Sequence, residues 1–224
     1  MVIISFRPEE KFKEVEIRGK EVLNIPLVRI LKLDNVKSLD LEMFDGIAFT
    51  SSTGVRYFFS IYSEIDEKMM IFSIGDSTAR ELMKYVNKPL VCSDSYSGGF
   101  ASFIADYKPK RVLIPRGMTH SSVLNEDLRK AGIYSENFYL YKYENIDQRD
   151  NIARAVKNKQ IALIFTSPLE VKLFNQYTGG RYLDNPAYPI GKTTFSTLKE
   201  AGFVNIRFDG KKSFSELIDF INSQ

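Results

Sequence analysis

Phe49-Thr50-Ser51-Ser52-Thr53-Gly54-Val55-Arg56-Tyr57-Phe58-Phe59 contains a change of hydrophobic period. Its upstream neighbours Ile47 and Ala48 join Phe49 in an apolar run of the kind that fills a strand buried on both faces. Downstream, Val55, Phe58, Phe59 and Tyr62 recur at i, i+3, i+4 and i+7, the stripe of a core-facing helix. Between them Thr50, Ser51 and Ser52 place small hydroxyls where a helix N-cap is wanted. Strand, hydroxyl-rich turn and helix, in that order, aim free backbone N–H groups beyond the strand end. The arrangement returns 116 positions later as Ile164-Phe165-Thr166-Ser167-Pro168-Leu169-Glu170-Val171-Lys172-Leu173-Phe174. It keeps the Phe-Thr-Ser, the Val and the following Phe. The chain is two copies of one unit.

The same offset carries Gly75 onto Gly191, Ser77-Thr78 onto Thr193-Thr194 and Leu82 onto Leu198. Phe100–Ile104 matches Phe214–Ile218 at an offset of 114. The front of the chain matches the middle: Gly19, Asn24, Leu27 and Arg29 lie 113 positions before Gly132, Asn137, Leu140 and Lys142. One copy is therefore continuous, 38–142, and is inserted into the other, built from 1–33 and 147–224. Crossings are expected near 31–37 and 143–149, with hinge motion about them.

Further strands are expected at residues 2–6, 24–30, 71–74, 90–92, 111–114 and 137–143, with helices opening at Arg7-Pro8-Glu9-Glu10 and covering 100–107 and 213–222. Ser95–Gly99 reads as a flexible turn before the first of these last two helices. Strands alternating with helices imply an α/β fold of two similar doubly wound parallel-sheet domains, joined by a two-strand connection with a cleft between them. Ligands in such folds bind beyond the carboxyl ends of the strands. Hydroxyl turns and helix N-termini there favour negative charge. A large anionic small molecule, held mainly by backbone amides, is the expected ligand.

Composition narrows the classes. Of 224 residues, 44% are apolar and 26% charged, which suits a soluble globule with a full core. A formal charge of +3 without a Lys/Arg cluster argues against nucleic acid. No run reaches membrane-spanning length and the N-terminus lacks a signal-peptide pattern, so a cytoplasmic protein is expected. One cysteine (Cys92) and one histidine (His120) leave no Cys or His metal cage, so a metal-free protein is expected. A monomer is the expected assembly. Cys92 reads as a small buried hydrophobe and His120 as a loop residue. A phosphate-ester enzyme lacks its Walker loop, its Gly-x-Gly-x-x-Gly and its paired metal carboxylates.

Phe49-Thr50-Ser51 with Gly54-Val55-Arg56, Ile74-Gly75-Asp76-Ser77-Thr78-Ala79, Phe165-Thr166-Ser167-Pro168 and Ile190-Gly191-Lys192-Thr193-Thr194 resemble the uroporphyrinogen-III synthases. Four blocks in order, over nearly the whole chain, carry the resemblance. It implies cyclisation of the linear tetrapyrrole hydroxymethylbilane to uroporphyrinogen III, with inversion of the terminal pyrrole ring and loss of water through an azafulvene and a spiro-pyrrolenine. It implies no metal or cofactor. A tyrosine on the last strand of the inserted domain would aid hydroxyl departure, and the matching residue is Tyr141, whose repeat partner is Val28. Ligand contacts carry over to Thr50, Ser51, Ser77, Thr78, Ser167, Thr193 and Thr194. The adjoining turn residues Ser52, Gly75, Ser97 and Gly191 complete the expected binding set. Lys192 and Phe195 stand where the family often has Pro and Ala.

Other readings stand beside these. Ser and Thr at helix starts serve as plain caps in many proteins. Alternation puts Tyr139, Tyr141 and Tyr143 on one face, where all three could simply pack. Arg7 and Arg116, each just past a strand, could meet substrate carboxylates or stay at the surface. A non-catalytic two-domain binding protein for an anionic small molecule would use the same turns.

Overall fold

The computed structural model describes residues 2–12, 21–92, 97–157, 160–210 and 214–223. Gly19, Ser95, Tyr96 and Ser213, used in the sequence reading, lie outside them, as does the side chain of Ser97. In chain order the elements begin with β1 (Val2–Ser5), β2 (Glu21–Asn24), β3 (Val28–Lys32), β4 (Gly46–Phe49), α1 (Ser52–Phe59), β5 (Met70–Ile74) and α2 (Asp76–Leu82). There follow β6 (Leu90–Cys92), α3 (Ser97–Asp106), β7 (Arg111–Gly117), α4 (Val123–Lys130) and β8 (Tyr134–Asn145). The remainder is α5 (Arg149–Val156), β9 (Ile161–Phe165), α6 (Pro168–Thr178), β10 (Ala187–Pro189), α7 (Gly191–Glu200) and α8 (Phe214–Asn222).

The chain divides into two units, 1–30 with 144–224, and 31–143. Both boundaries fall inside strands, β3 and β8, so residues 31–32 and 143–145 belong to strands. Several local expectations are corrected. The expected strand 24–30 is two strands separated at Ile25-Pro26-Leu27, where proline withholds an N–H. The helix expected after Pro8 is a single 3-10 turn, Glu9–Lys11, within the described residues. Helix α5, for which the sequence reading named no element, starts at Arg149, the last residue of the expected crossing, with Ile152, Ala155 and Val156 buried.

In the first unit β10, β9, β1 and β2 form a parallel sheet in that order. Ile3, Ala162 and Ile164 pack with Leu217, Ile218 and Ile221 of α8, while Phe6, Phe165, Phe174 and Phe203 make a second aromatic cluster. Every residue of β9 is buried, which is what an all-apolar strand in a covered parallel sheet requires. At its end Ser167 caps α6, its Oγ accepting from the Glu170 N–H at 3.3 Å, with Pro168 in the first turn. Glu170 folds back: its carboxylate accepts from the Thr166 N–H (2.6 Å) and from Thr166 Oγ1 (2.7 Å). That carboxylate is 1% exposed, and burial pushes its pKa up against the opposing pull of these hydrogen bonds and of Arg7.

The second sheet has the order β3-β8-β7-β4-β5-β6, and β4 to β8 pair in parallel. Ala48, Phe72, Val112 and Ile114 meet Phe100, Ile104, Leu124 and Leu128 of α3 and α4. On α1, Val55 and Phe58 are buried as their spacing requires. Strand β7 runs on through Pro115-Arg116-Gly117, which the sequence reading took as its stop. Among the described residues its β4 side has no ladder partner beyond Leu113, and a proline is tolerated at such a position. Helix α1 then lies so close to β7 that a Cβ on Gly54 would stand 2.8 Å from the Pro115 carbonyl oxygen.

Two stability predictions follow from these contacts. Gly54→Ala, stabilising in an ordinary helix interior, is expected to destabilise by about 1–3 kcal/mol because backbone must move; urea unfolding with a stabilised variant would contradict the close approach. For Glu170, a folded pKa raised above the unfolded carboxyl value means the native state holds the proton more tightly. Its contribution is fully present below the unfolded pKa and is lost as pH rises through the folded one. The stability advantage of the native chain over Glu170→Gln should therefore shrink with rising pH above about 4. Denaturant midpoints across pH measure it, and an advantage that grew with pH would contradict the buried-carboxylate account.

Candidate active site

Within each unit the expected turn residues lie in the loops beyond the strand ends. In the second unit Ser51 is the N-cap of α1: its Oγ accepts from the Gly54 N–H at 3.0 Å. Thr50, Ser51 and Ser52 are all half-buried. Gly75 caps α2 from a φ of 72°, and its N–H donates to the Cys92 carbonyl at 3.0 Å. In the first unit Gly191 begins α7 at a φ of 74°. A Cβ would meet nothing within 4 Å at either glycine, so the left-handed backbone, and not space, selects the residue. The 116-residue repeat is thus a repeat of conformation.

The hydroxyls after these glycines divide in the same way. Ser77 and Thr193 are exposed, whereas Thr78 and Thr194 are buried. The second member of each pair is turned inward.

Tyr141 is 4% exposed, and its Oη lies 3.0 Å from Ser51 Oγ. Its ring packs near Tyr57 and Tyr143, and so closely on Gly117 that a Cβ there would come within 2.7 Å of it. It does not share a face with Tyr139. Between Arg116 and Gly117 the pairing on β8 advances from Tyr139 to Tyr141, so Leu140 is an extra residue. The Leu140 carbonyl accepts from the Leu33 N–H and the Tyr141 carbonyl from the Met118 N–H. Alternation is broken, Tyr139 is left 40% exposed, and Tyr141 is turned in. Tyr139 bonds instead to Nε2 of His120 at 3.0 Å, while Nδ1 of that ring lies 3.0 Å from the Ser121 carbonyl, so the histidine takes part in a specific contact.

The two arginines are not surface groups. Arg116 is 8% exposed and its Nη1 donates to Asn125 Oδ1 (3.2 Å) and Asn137 Oδ1 (3.3 Å). Burial lowers its pKa, opposed by the nearby Tyr139 and Tyr141 phenols. Arg7 has its guanidinium carbon 4.5 Å from the Phe214 ring centroid, and its buried Nε and Nη1 have no hydrogen-bond partner among the described residues. Burial lowers its pKa while Glu170 opposes. Among the described residues no group of three or more His, Cys, Asp or Glu side chains could hold a metal, and no helix is long and apolar enough to cross a membrane.

Sequence reasoning missed Glu170, although Ser167-Pro168-Leu169-Glu170 carries the Ser-x-x-Glu spacing of a capping box. Its carboxylate sits on the hydroxyl turn where a bound anion was expected. At the repeat position the second unit has Gly54, so its turn carries no internal carboxylate.

Comparisons with known proteins bear on the fold and the family. The uroporphyrinogen-III synthetase of Helicobacter pylori has a similar fold, with a TM-score of 0.69 at 19% identity, covering 99% of this chain and 98% of that one. A mutant uroporphyrinogen III synthase of Thermus thermophilus gives 0.64 at 15% identity, covering 99% and 96%. A Methanocaldococcus jannaschii protein provisionally named uroporphyrinogen-III synthase is 23% identical over 220 residues, 91% of this chain and 90% of that one. The family model described as uroporphyrinogen-III synthase HemD matches residues 10–219. That match spans nearly all of the chain, which therefore belongs to the uroporphyrinogen-III synthase family, the enzymes that cyclise hydroxymethylbilane.

Proposed function

We propose that this chain cyclises hydroxymethylbilane with Tyr141 as the proton donor to the departing hydroxyl. The observation that carries this is the placement of the phenol: turned in by a bulge and held at the hydroxyl turn that starts α1. Tyr141 donates its proton to the hydroxymethyl oxygen as the C–O bond breaks, and the oxygen leaves as water with the bonding electrons. The pyrrole nitrogen lone pair supplies the electrons of the new exocyclic double bond, giving the azafulvene in its N-protonated, cationic form. Ring closure through the spiro-pyrrolenine releases a proton, which returns to the phenolate. The balance is one hydroxymethylbilane to one uroporphyrinogen III and one water. It needs no metal, cofactor or partner chain, and suits a monomer in the cytoplasm.

Holding the flexible chain in a closing geometry is the larger task. Acetate and propionate groups are suited to backbone N–H groups at helix starts. In the second unit Thr50, Ser52, Gly75, Ser77 and the start of α3 at Ser97 are the proposed contacts. In the first, Gly191 and Thr193 at the start of α7 are proposed, with Arg7 offering Nε and Nη1, which have no partner among the described residues. Thr78, Thr194 and Arg116 act from below the surface, shaping the turns.

Tyr141→Phe should lower kcat roughly tenfold to a hundredfold, the low part of the range for a positioned acid because an electron-rich pyrrole already expels water readily. The product that still forms should remain mostly type III, because inversion depends on how the whole chain is held. Rates with isomer analysis decide it, and an unchanged rate would return Tyr141 to packing. Thr193→Glu should raise KM while leaving thermal stability equal or higher. A carboxylate in the first turn of α7 favours the helix but repels the substrate's carboxylates. An unchanged KM would remove α7 from the binding set.

A further inference from the structure

We infer that Ser51 is a positioning residue for the Tyr141 phenol and not one of the substrate-binding hydroxyls. This inference rests on the reading of Tyr141 as proton donor and adds to it a residue acting through that tyrosine. The hydrogen-bond inventory of one oxygen carries it. Ser51 Oγ accepts from the Gly54 N–H at 3.0 Å and lies 3.0 Å from Tyr141 Oη. A hydroxyl has one proton and two lone pairs. With one lone pair committed to the helix cap, Ser51 keeps its proton and a second lone pair, and either oxygen can donate across the contact; we assign the proton to Ser51, the direction that leaves the phenol proton to point elsewhere. In that arrangement the donor that steers the phenol also meets the negative charge left on Oη when its proton departs.

Three features of the backbone fix this oxygen pair. Gly54 lets α1 approach the Pro115 carbonyl, bringing its cap toward β7. Gly117 leaves room for the Tyr141 ring. The extra residue Leu140 turns that ring inward. The other unit supplies the contrast. There Ser167 makes the same cap bond, but the positions equivalent to Gly54 and Tyr141 are Glu170 and Val28, and the hydroxyl turn is closed by a carboxylate of its own helix. A serine cap alone therefore does not account for the Ser51–Tyr141 contact.

Ser51→Gly separates positioning from capping, because glycine is a nearly equivalent N-cap, within a few tenths of a kcal/mol. The full chain, with 3-fluorotyrosine at position 141, is compared in native, Ser51→Gly and Ser51→Thr forms. Ser51→Gly should shift and broaden the fluorine resonance and lower kcat on the order of tenfold with KM unchanged. Ser51→Thr, which keeps a hydroxyl, should restore both. In the Tyr141→Phe background Ser51→Gly should change kcat little further. A raised KM with an unmoved resonance would overturn the inference and return Ser51 to the substrate contacts. Full additivity of the two substitutions in kcat would overturn it as well. If Tyr141→Phe leaves the rate intact while Ser51→Gly still moves the resonance, positioning stands and the proton-donor reading is what fails.

Discussion

The approach of α1 to β7 is the constraint on which the candidate active site depends. The helix starts against the Pro115 carbonyl at a distance that admits no side chain at position 54. Because the cap of α1 is fixed there, Ser51 Oγ is fixed too, and with it the oxygen that meets Tyr141. Gly117 makes the matching concession on β7, giving up its side chain to the Tyr141 ring. Two glycines thus create one short polar contact inside an otherwise aromatic region.

The duplicated unit makes this specialisation visible. Both copies keep the Phe-Thr-Ser turn, the serine cap and the left-handed glycine that starts a later helix. They differ at the two positions that set the chemistry of the turn. One copy fills its turn with the Glu170 carboxylate, a buried acid whose cost is offset by two short hydrogen bonds to Thr166. The other has glycine there and a phenol on the neighbouring strand. The first arrangement is self-satisfied, and a substrate carboxylate brought to it would meet one already in place. The second leaves hydroxyls and a phenol for another molecule. Copies of one fold therefore differ in that one turn is closed by its own carboxylate and the other is not.

Much of this was legible in the sequence because it is written in short-range periodicity. The buried run before Thr50, the helical stripe after it and the repeat of both lie within a dozen residues. Helix α5 was harder: its buried face is only Ile152, Ala155 and Val156 among charged residues, too short a stripe to stand out. The bulge at Leu140 could not be read at all. Tyr139, Tyr141 and Tyr143 satisfy a regular strand pattern, and only the pairing with β7 reveals the slip that separates them. For Arg116, just past an expected strand end, the sequence left a substrate contact and a surface position both open, because the continuation of β7 through Pro115 depends on which neighbours that strand has. Local pattern marks the turns beyond the strand ends; tertiary register decides which side chains are turned inward there.

The central claim is that this chain holds hydroxymethylbilane so that ring closure proceeds with inversion. Turnover by the native chain, coupled to an enzyme that generates hydroxymethylbilane and read out as product isomers, tests it most directly. Predominant uroporphyrinogen III, formed faster than in the absence of the chain, is the predicted result. A product lacking ring inversion, at the same rate with and without the chain, would contradict it.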